Sequence, residues 1–335
     1  MQGQFVKFIA GPKRARRALS QKERHHLPLR IVFMGTPDFA VPCLERITAD
    51  GHTVCGVFCQ PDRPRGRGMA FLPPPVKQAA LSKDIPVFQP TKLRDGEAVK
   101  ILQSLAPDLI VVVAYGRILP LEILELPPLG CVNVHASLLP RWRGAAPVQW
   151  SIIRGDAITG VTTMYMSEGL DTGDMILTSR TAIAPDETYG QLLERLSQIG
   201  AELLSRTLPL LETGAAPRTA QDDSLATLAP PIQKSMSQLD FTASPEDFCN
   251  LVRGLNPNPG ASARFAQGVL KVHAAVPAPN FTGPPGVILH PKRLIVGCGQ
   301  GAVEMLAVQP QGKKPMDGAA WRNGLRNLSD DERFS

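Results

Sequence analysis

The run Asp108-Leu-Ile-Val-Val-Val-Ala-Tyr115 constrains the fold of this chain most. Six consecutive apolar residues, with no polar side chain at alternate positions, describe a strand buried on both faces, which is the signature of a parallel sheet covered by helices on either side. The flanking segments agree. A strand is expected to begin at Arg30 and another to run from Thr53 to Cys59, with residues 76–82 and 97–105 as helices and Pro86-Val-Phe88 as a short strand between them. At Gly35-Thr36-Pro37 the pattern is strand, tight turn, then helix, with Pro37 near the first helical turn, where a missing N–H matters least. No Gly-x-Gly-x-x-Gly is present there, so the expected architecture is α/β, with a Rossmann-like, mostly parallel sheet and no dinucleotide site.

The chemistry-bearing stretch follows: Cys131-Val-Asn-Val-His-Ala-Ser-Leu-Leu-Pro-Arg-Trp-Arg-Gly-Ala-Ala-Pro147. Cys131 to His135 reads as a short strand, and the two-residue side-chain period puts Asn133 and His135 on one face. An amide beside an imidazole at a strand end suits the stabilisation of a carbonyl oxygen as it becomes an oxyanion. The acid for such a site is expected after the strand Val161 to Met166, in Glu168-Gly-Leu-Asp-Thr-Gly-Asp174. A carboxylate there would orient the histidine or take a proton from an attacking amine. Taken singly, a strand histidine is usually structural and an Asp in a Gly-rich turn usually serves the turn; the combination points to chemistry.

Residues 147–154 read as a helix and 175–181 as a strand. From Asp186 to Gly214 the leucines at 192, 193, 196, 203 and 204, with Ile199, recur at helical spacing; Asp186 is the expected N-cap and Gly214 the terminus. Periodicity is lost over residues 214–231, which hold three prolines and mark a linker. Beyond it, short apolar runs at 261–265, 269–276, 286–289, 294–296 and 303–308, with one helix at 246–254, predict a small antiparallel β-barrel. The expected organisation is therefore a basic, disordered extension over 1–29, a catalytic domain over 30–213, the linker over 214–231 and the barrel over 232–330.

A length of 335 residues suits two domains, each with its own core. No window of about 18 apolar residues appears, against a membrane span. The six cysteines, at 43, 55, 59, 131, 249 and 298, form no Cys-x-x-Cys pair and lie mostly in apolar runs, so reduced core thiols and a cytoplasmic protein are expected, with no metal. The net charge of +6 is concentrated: residues 1–29 carry +6, residues 30–230 carry −3, and residues 231–335 carry +3. Nucleic-acid binding must therefore rest on local clusters. One such cluster is the stretch from Gln60 to Pro75, read as an exposed, irregular loop, with Arg63, Arg65 and Arg67 two apart.

Asn-x-His-x-Ser-Leu-Leu-Pro at 133–140, Arg-Gly-Ala-Ala-Pro at 143–147 and Gly-Leu-Asp-Thr-Gly-Asp at 169–174 together resemble the 10-formyltetrahydrofolate-using formyltransferases. Gln-Pro-Asp-Arg-Pro-x-Gly-Arg-Gly at 60–68 resembles the insertion that the tRNA-dependent members place against an acceptor stem. The resemblance covers about residues 30–325, and the four motifs stand in the expected order. It implies 10-formyltetrahydrofolate as co-substrate and initiator methionyl-tRNA as acceptor, with Asn133, His135 and Asp171 catalytic. It also implies a folate-side role for Ser137, Leu138, Leu139 and Pro140. Arg63, Arg65, Arg67, Lys234, Lys313 and Lys314 would grip tRNA, the C-terminal module would be an oligonucleotide-binding-like barrel, and the enzyme would act as a monomer. Arg253, Lys271, Lys292 and Arg293 are further available cations.

Two departures bear on RNA contact. Met69, Ala70 and Phe71 stand where other members carry lysines, and Asn258 where many relatives carry an aromatic. Other acceptors, a nucleotide sugar or a purine precursor, would use the same three residues, as would a formyltetrahydrofolate hydrolase. A non-enzymatic RNA-binding module on this fold would not need them intact.

Overall fold

The computed structural model describes residues 28–65, 70–266, 268–325 and 333–335. The expected basic extension up to residue 27 lies outside them, as do Arg67 and Met69. Leu29 belongs to the fold, buried and accepting a backbone hydrogen bond from Thr53, so regular packing starts just before Arg30.

The first unit runs β1 (Arg30–Gly35), α1 (Val41–Ala49), β2 (Thr53–Phe58), β3 (Arg63–Arg65), β4 (Ala70–Leu72), α2 (Pro75–Leu81), β5 (Val87–Phe88), α3 (Glu97–Leu105), β6 (Leu109–Val113), α4 (Leu121–Leu124), β7 (Cys131–His135), β8 (Arg143–Gly144), α5 (Pro147–Ile153), β9 (Ile158–Tyr165), β10 (Met175–Ala182) and α6 (Tyr189–Thr213). Seven strands form one sheet in the order β10-β9-β7-β6-β1-β2-β5. The pairs from β7 through β5 are parallel, and β9 and β10 join antiparallel at the other edge.

Two-sided burial of the central strands is visible residue by residue. Ile31, Phe33, Leu109, Val111, Val132 and Val134 face a core completed by α1, α2, α5 and α6. Their neighbours Val32, Met34, Ile110, Val112 and Cys131 face a second core with α3 and α4. The apolar stripe of α6 packs as expected, with Leu192, Leu196, Leu203 and Leu204 buried. Its N-cap is Thr188, not Asp186: the Thr188 hydroxyl accepts from the Gln191 N–H while the Gln191 side chain accepts from the Thr188 N–H. Gly214 closes the helix in the left-handed conformation, φ +71°.

The arginine-rich stretch is not wholly irregular. β3 and β4 pair antiparallel as a hairpin, Pro64 opposite Phe71, and the lone two-stranded ribbon tolerates a proline that donates no ladder bond. Its base is clamped where Asp62 accepts from Lys77 Nζ at 2.8 and 2.9 Å and from Gln89 Nε2 at 2.8 Å.

The segment joining the two units is aperiodic in sequence yet docked. Its strand β11 (Leu228–Ala229) runs parallel to β8, and Thr219 bridges to Met175. The second unit comprises α7 (Pro245–Gly254), β12 (Ala261–Phe265), β13 (Gly268–Pro277), β14 (Ile295–Gly297), β15 (Ala302–Pro310), β16 (Met316–Asp317) and α8 (Gly318–Asn323). Its five strands form an antiparallel sheet, β12-β13-β15-β14, with β16 on β15. The run at 286–289, read as a strand, supplies one isolated bridge, Ile288 to Val296. Gly286 there is at φ +80°, where a Cβ would lie 2.3 Å from the Phe334 carbonyl, and prolines on both sides cannot donate ladder bonds.

The units meet where α7 packs on α5 and Gly254 leaves room for Ile153. Arg253 is spent there: it holds Asn250 and donates to the carbonyls of Ala184 and Glu187, so it is not an available cation. Arg293 is likewise paired with Glu304.

Candidate active site

Strand β7 ends the parallel part of the sheet, and its last turns of pleat carry Asn133 and His135 on one face. Beyond its carboxyl end, and beyond those of β1 and β6, lies a cavity of about 590 Å³, within the range of small-molecule sites. Phe39, Val112, Tyr115, Leu119, Tyr189 and Leu193 give it apolar walls, and Asn133, His135, Asp171, Arg117 and Glu168 give it polar groups. The thin mixture suits a flat, partly aromatic ligand held by few polar contacts.

Two of the three expected catalytic residues converge on the carboxylate of the third. Asn133 Nδ2 donates to Asp171 Oδ1 at 3.4 Å, and His135 Nδ1 lies 3.7 Å from Asp171 Oδ2. Gly144 N also donates to Oδ2, at 2.9 Å. His135 is buried, and its Nε2 is 2.9 Å from the Trp142 carbonyl oxygen. Since a carbonyl only accepts, Nε2 carries a hydrogen, and Nδ1 is the ring nitrogen left to exchange a proton with Asp171 or the cavity. Asp171 itself sits at φ +53°, a left-handed turn conformation that aspartate adopts more readily than most residues with a Cβ.

The turn after β7 supports this arrangement from behind. Ser137 is fully buried, its hydroxyl donating to the Arg141 carbonyl at 2.6 Å, and Thr162 accepts from Leu139 N while donating to the Ser137 carbonyl. Ser137, Leu138, Leu139 and Pro140 are not in the cavity wall; Tyr115 to Leu119, after β6, are. The structure thus brings the three expected catalytic residues together at the cavity, while the four residues expected on the folate side lie outside its lining. The missed wall follows the carboxyl end of the most apolar strand, a position that the topology rule for open α/β sheets marks. Arg141 pairs with Asp156 at 2.7 Å, which also accepts from Trp142 Nε1. Arg143 is buried and holds Gln221 and Asp223.

Of the expected RNA contacts, Arg63 is exposed on the hairpin, and Lys234, Lys313 and Lys314 are exposed on the second unit. Arg67 and the Arg65 side chain lie outside the described residues. Among the described residues, no group of three His, Cys, Asp or Glu side chains is placed to hold a metal ion, and no helix is long and apolar enough to cross a membrane.

Comparisons with known proteins agree with this geometry. A family model described as formyl transferase matches residues 29–208, and one described as formyl transferase, C-terminal domain, matches residues 231–326. A methionyl-tRNA formyltransferase of Geobacter sulfurreducens is 48% identical over 300 residues, 89% of this chain and 94% of that protein. One from Clostridioides difficile is 52% identical over 244 residues, 73% of this chain and 79% of that protein. Among solved structures, the fold is similar to an N-formyltransferase from Helicobacter canadensis in complex with folinic acid and dTDP-3-aminofucose, with a TM-score of 0.64 at 16% identity over 84% of this chain and 99% of that one. It is also similar to HypX from Aquifex aeolicus in complex with tetrahydrofolic acid, with a TM-score of 0.61 at 18% identity over 88% of this chain and 47% of that one, so it spans about half of HypX. With both of its units matched and its sheet carrying Asn133, His135 and Asp171 to one cavity, the chain belongs to the formyl transferase family.

Proposed function

We propose that this chain transfers the formyl group of 10-formyltetrahydrofolate to the α-amine of methionyl-tRNA, and that the acceptor is the initiator species, for translation initiation in the cytoplasm. The observation that carries the chemistry is the meeting of Asn133, His135 and Asp171 at the cavity wall. Methionyl-tRNA is the substrate in the names of relatives near half identical over most of both chains.

The residues divide the work as follows. The neutral amine attacks the formyl carbon, a C–N bond forms, and the carbonyl oxygen takes negative charge. Asn133 uses one N–H on Asp171, leaving its second for that oxygen. His135, fixed through Nε2 by the Trp142 carbonyl, donates from Nδ1 once protonated there, and the Asp171 carboxylate stabilises the resulting cation. Asp171, directly or through water, receives the proton that the amine loses; that proton returns to the folate nitrogen as the bond from it to the formyl carbon breaks. Tyr115 to Leu119 and Phe39 shape the folate cradle in this reading, beside the expected folate-side residues Ser137, Leu138, Leu139 and Pro140.

We read residues 30–213 as the catalytic domain, 214–231 as its linker and 232–330 as the tRNA-binding domain of a monomer. Register shifts in β13 after Val272 and Ala274 support curling of the second sheet toward an oligonucleotide-binding-like barrel. Its Lys234, Lys313 and Lys314, with Arg63, Arg65 and Arg67 of the arginine-rich stretch, would meet phosphates of one RNA.

The deciding experiment compares formyl transfer to initiator and elongator methionyl-tRNA by the wild type and by Arg67→Ala. Initiator-selective transfer that collapses in the variant supports the whole reading. Formyl loss without tRNA, indifferent to Arg67, would mean a hydrolase or another acceptor.

A further inference from the structure

A side chain from the segment joining the two units binds the backbone of the turn that carries Asp171. Gln221 Nε2 donates to the carbonyls of Asp171 and Gly173, each at 2.8 Å, and so spans the turn. Its Oε1 accepts from Arg143 Nε at 2.9 Å. Because the guanidinium has no acceptor, this bond fixes which end of the Gln221 amide faces the turn. Arg143 is in turn buried, anchored to Asp223, and carried on β8, where its N–H donates to the Thr227 carbonyl. Two adjacent residues of β8 thus serve one carboxylate: Gly144 N binds its Oδ2 directly, and Arg143 acts through Gln221 on its backbone.

The turn has little freedom to hold itself. Gly173 is pressed so closely against the Tyr165 carbonyl that a Cβ would sit 1.8 Å from it, and Asp171 lies at φ +53°. Two donors from Gln221 fix the backbone of this turn and leave the carboxylate to Asn133, His135 and the Gly144 N–H.

We propose that Gln221 is a positioning residue for Asp171, and that the joining segment is thereby part of the active site of this enzyme and not only a tether. The proposal rests on the catalytic reading of Asp171 given above.

Two substitutions test it. Gln221→Met removes both donors at similar length, and Gln221→Glu keeps the acceptor for Arg143 while setting an oxygen against two carbonyls. Each is expected to lower kcat ~10- to 100-fold with KM for both substrates within about twofold, as for small misplacements of a reacting group. In an Asp171→Asn background, Gln221→Met should lower kcat by less than about twofold more, since its effect passes through the carboxylate. Losses that multiply in full in the double variant would overturn the proposal, because a merely structural role adds independently. Amide hydrogen exchange judges the same point without turnover: exchange over residues 168–174 should rise in Gln221→Met while the unfolding midpoint stays near wild type. Unchanged exchange there also overturns it. A wild-type chain that formylates no methionyl-tRNA would sink the functional reading instead, and the exchange measurement would still decide the role of Gln221.

Discussion

Gly144 donates its backbone N–H to Asp171 Oδ2 over 2.9 Å, from a position 27 residues earlier in the chain. The bond exists because β8 is drawn against β11, and it sets the oxygen of Asp171 that also faces His135.

Gly144 is at φ +124°, and a Cβ there would lie 2.7 Å from the Ala229 carbonyl oxygen. Only glycine takes that conformation without strain. Gly144→Ala is therefore expected to push β11 away and move the N–H off Asp171, costing about 1–3 kcal/mol of stability and lowering kcat at least ~10-fold. Urea unfolding and steady-state formylation check both; wild-type stability in the variant would show that the approach of β11 can relax.

Asn133→Ala leaves Asp171 with one fewer partner and, on the proposed mechanism, removes an oxyanion donor. Turnover should fall ~10²- to 10³-fold. Asp171→Asn keeps the shape but loses the charge beside His135, and should fall at least as far. Initial rates at saturating substrates measure both, and a variant of either with unchanged kcat would remove the mechanism.

Burial pushes the Cys43 and Cys131 thiols up from an ordinary value near 9 to about 12, and Cys55 to about 11. Burial is the leading cause in all three. Folding thus favours the protonated thiol: this contribution is complete below pH ~8.5, the unfolded thiol value, and is lost as pH rises through that value toward the folded ones. Native protein should react slowly with a thiol reagent at pH 8, and stability should decline from about pH 9 upward. Substituting alanine at Cys43 should shallow that decline; a slope identical to wild type would assign it to other groups.

Much of this architecture is legible in the sequence, for physical reasons that differ by element. Leu109 to Val113 could be placed at the sheet centre because two-sided burial leaves no alternation, and Asn133 and His135 on one face because a strand repeats every two residues. Asp171 was reachable through the resemblance and its turn. Gln221 was not: it lies in an aperiodic stretch, and its role comes from a contact 50 residues away with a backbone carbonyl, which no local pattern encodes. The cavity wall at Tyr115 to Leu119 carries no local sequence signal, because its place follows from the strand order of the sheet and not from a motif. The hairpin was hidden by Pro64 and the glycines, whose propensities oppose a strand.

The cap of α6 shows the same limit at the scale of two residues. Asp186 has the right chemistry, but Thr188 has the extended backbone, φ −85° and ψ 162°, and a Gln three residues on. Thr188→Ala should cost about 1 kcal/mol of stability, and Asp186→Ala little. Equal losses in thermal unfolding would argue that the first turn is held by tertiary packing and not by its cap.

The hairpin clamp offers a separation of the proposed RNA contact from the proposed chemistry. Hydrogen bonds from Lys77 and Gln89 hold the Asp62 carboxyl below its usual range. The sign follows: a depressed carboxylate contributes above the unfolded value of ~4, so the clamp is complete at neutral pH and is lost as pH falls through the lower folded value. Lys77→Met removes the cation and frees the base of β3 and β4, while Gln60 still accepts from Arg117 at 3.2 Å beside the cavity. KM for methionyl-tRNA should therefore rise severalfold, with kcat and KM for the formyl donor near wild type. If KM for the donor rose equally, the clamp would be shaping the cavity through Gln60, which also binds the Tyr115 carbonyl at 3.1 Å, and hairpin and cavity would be one mechanical unit.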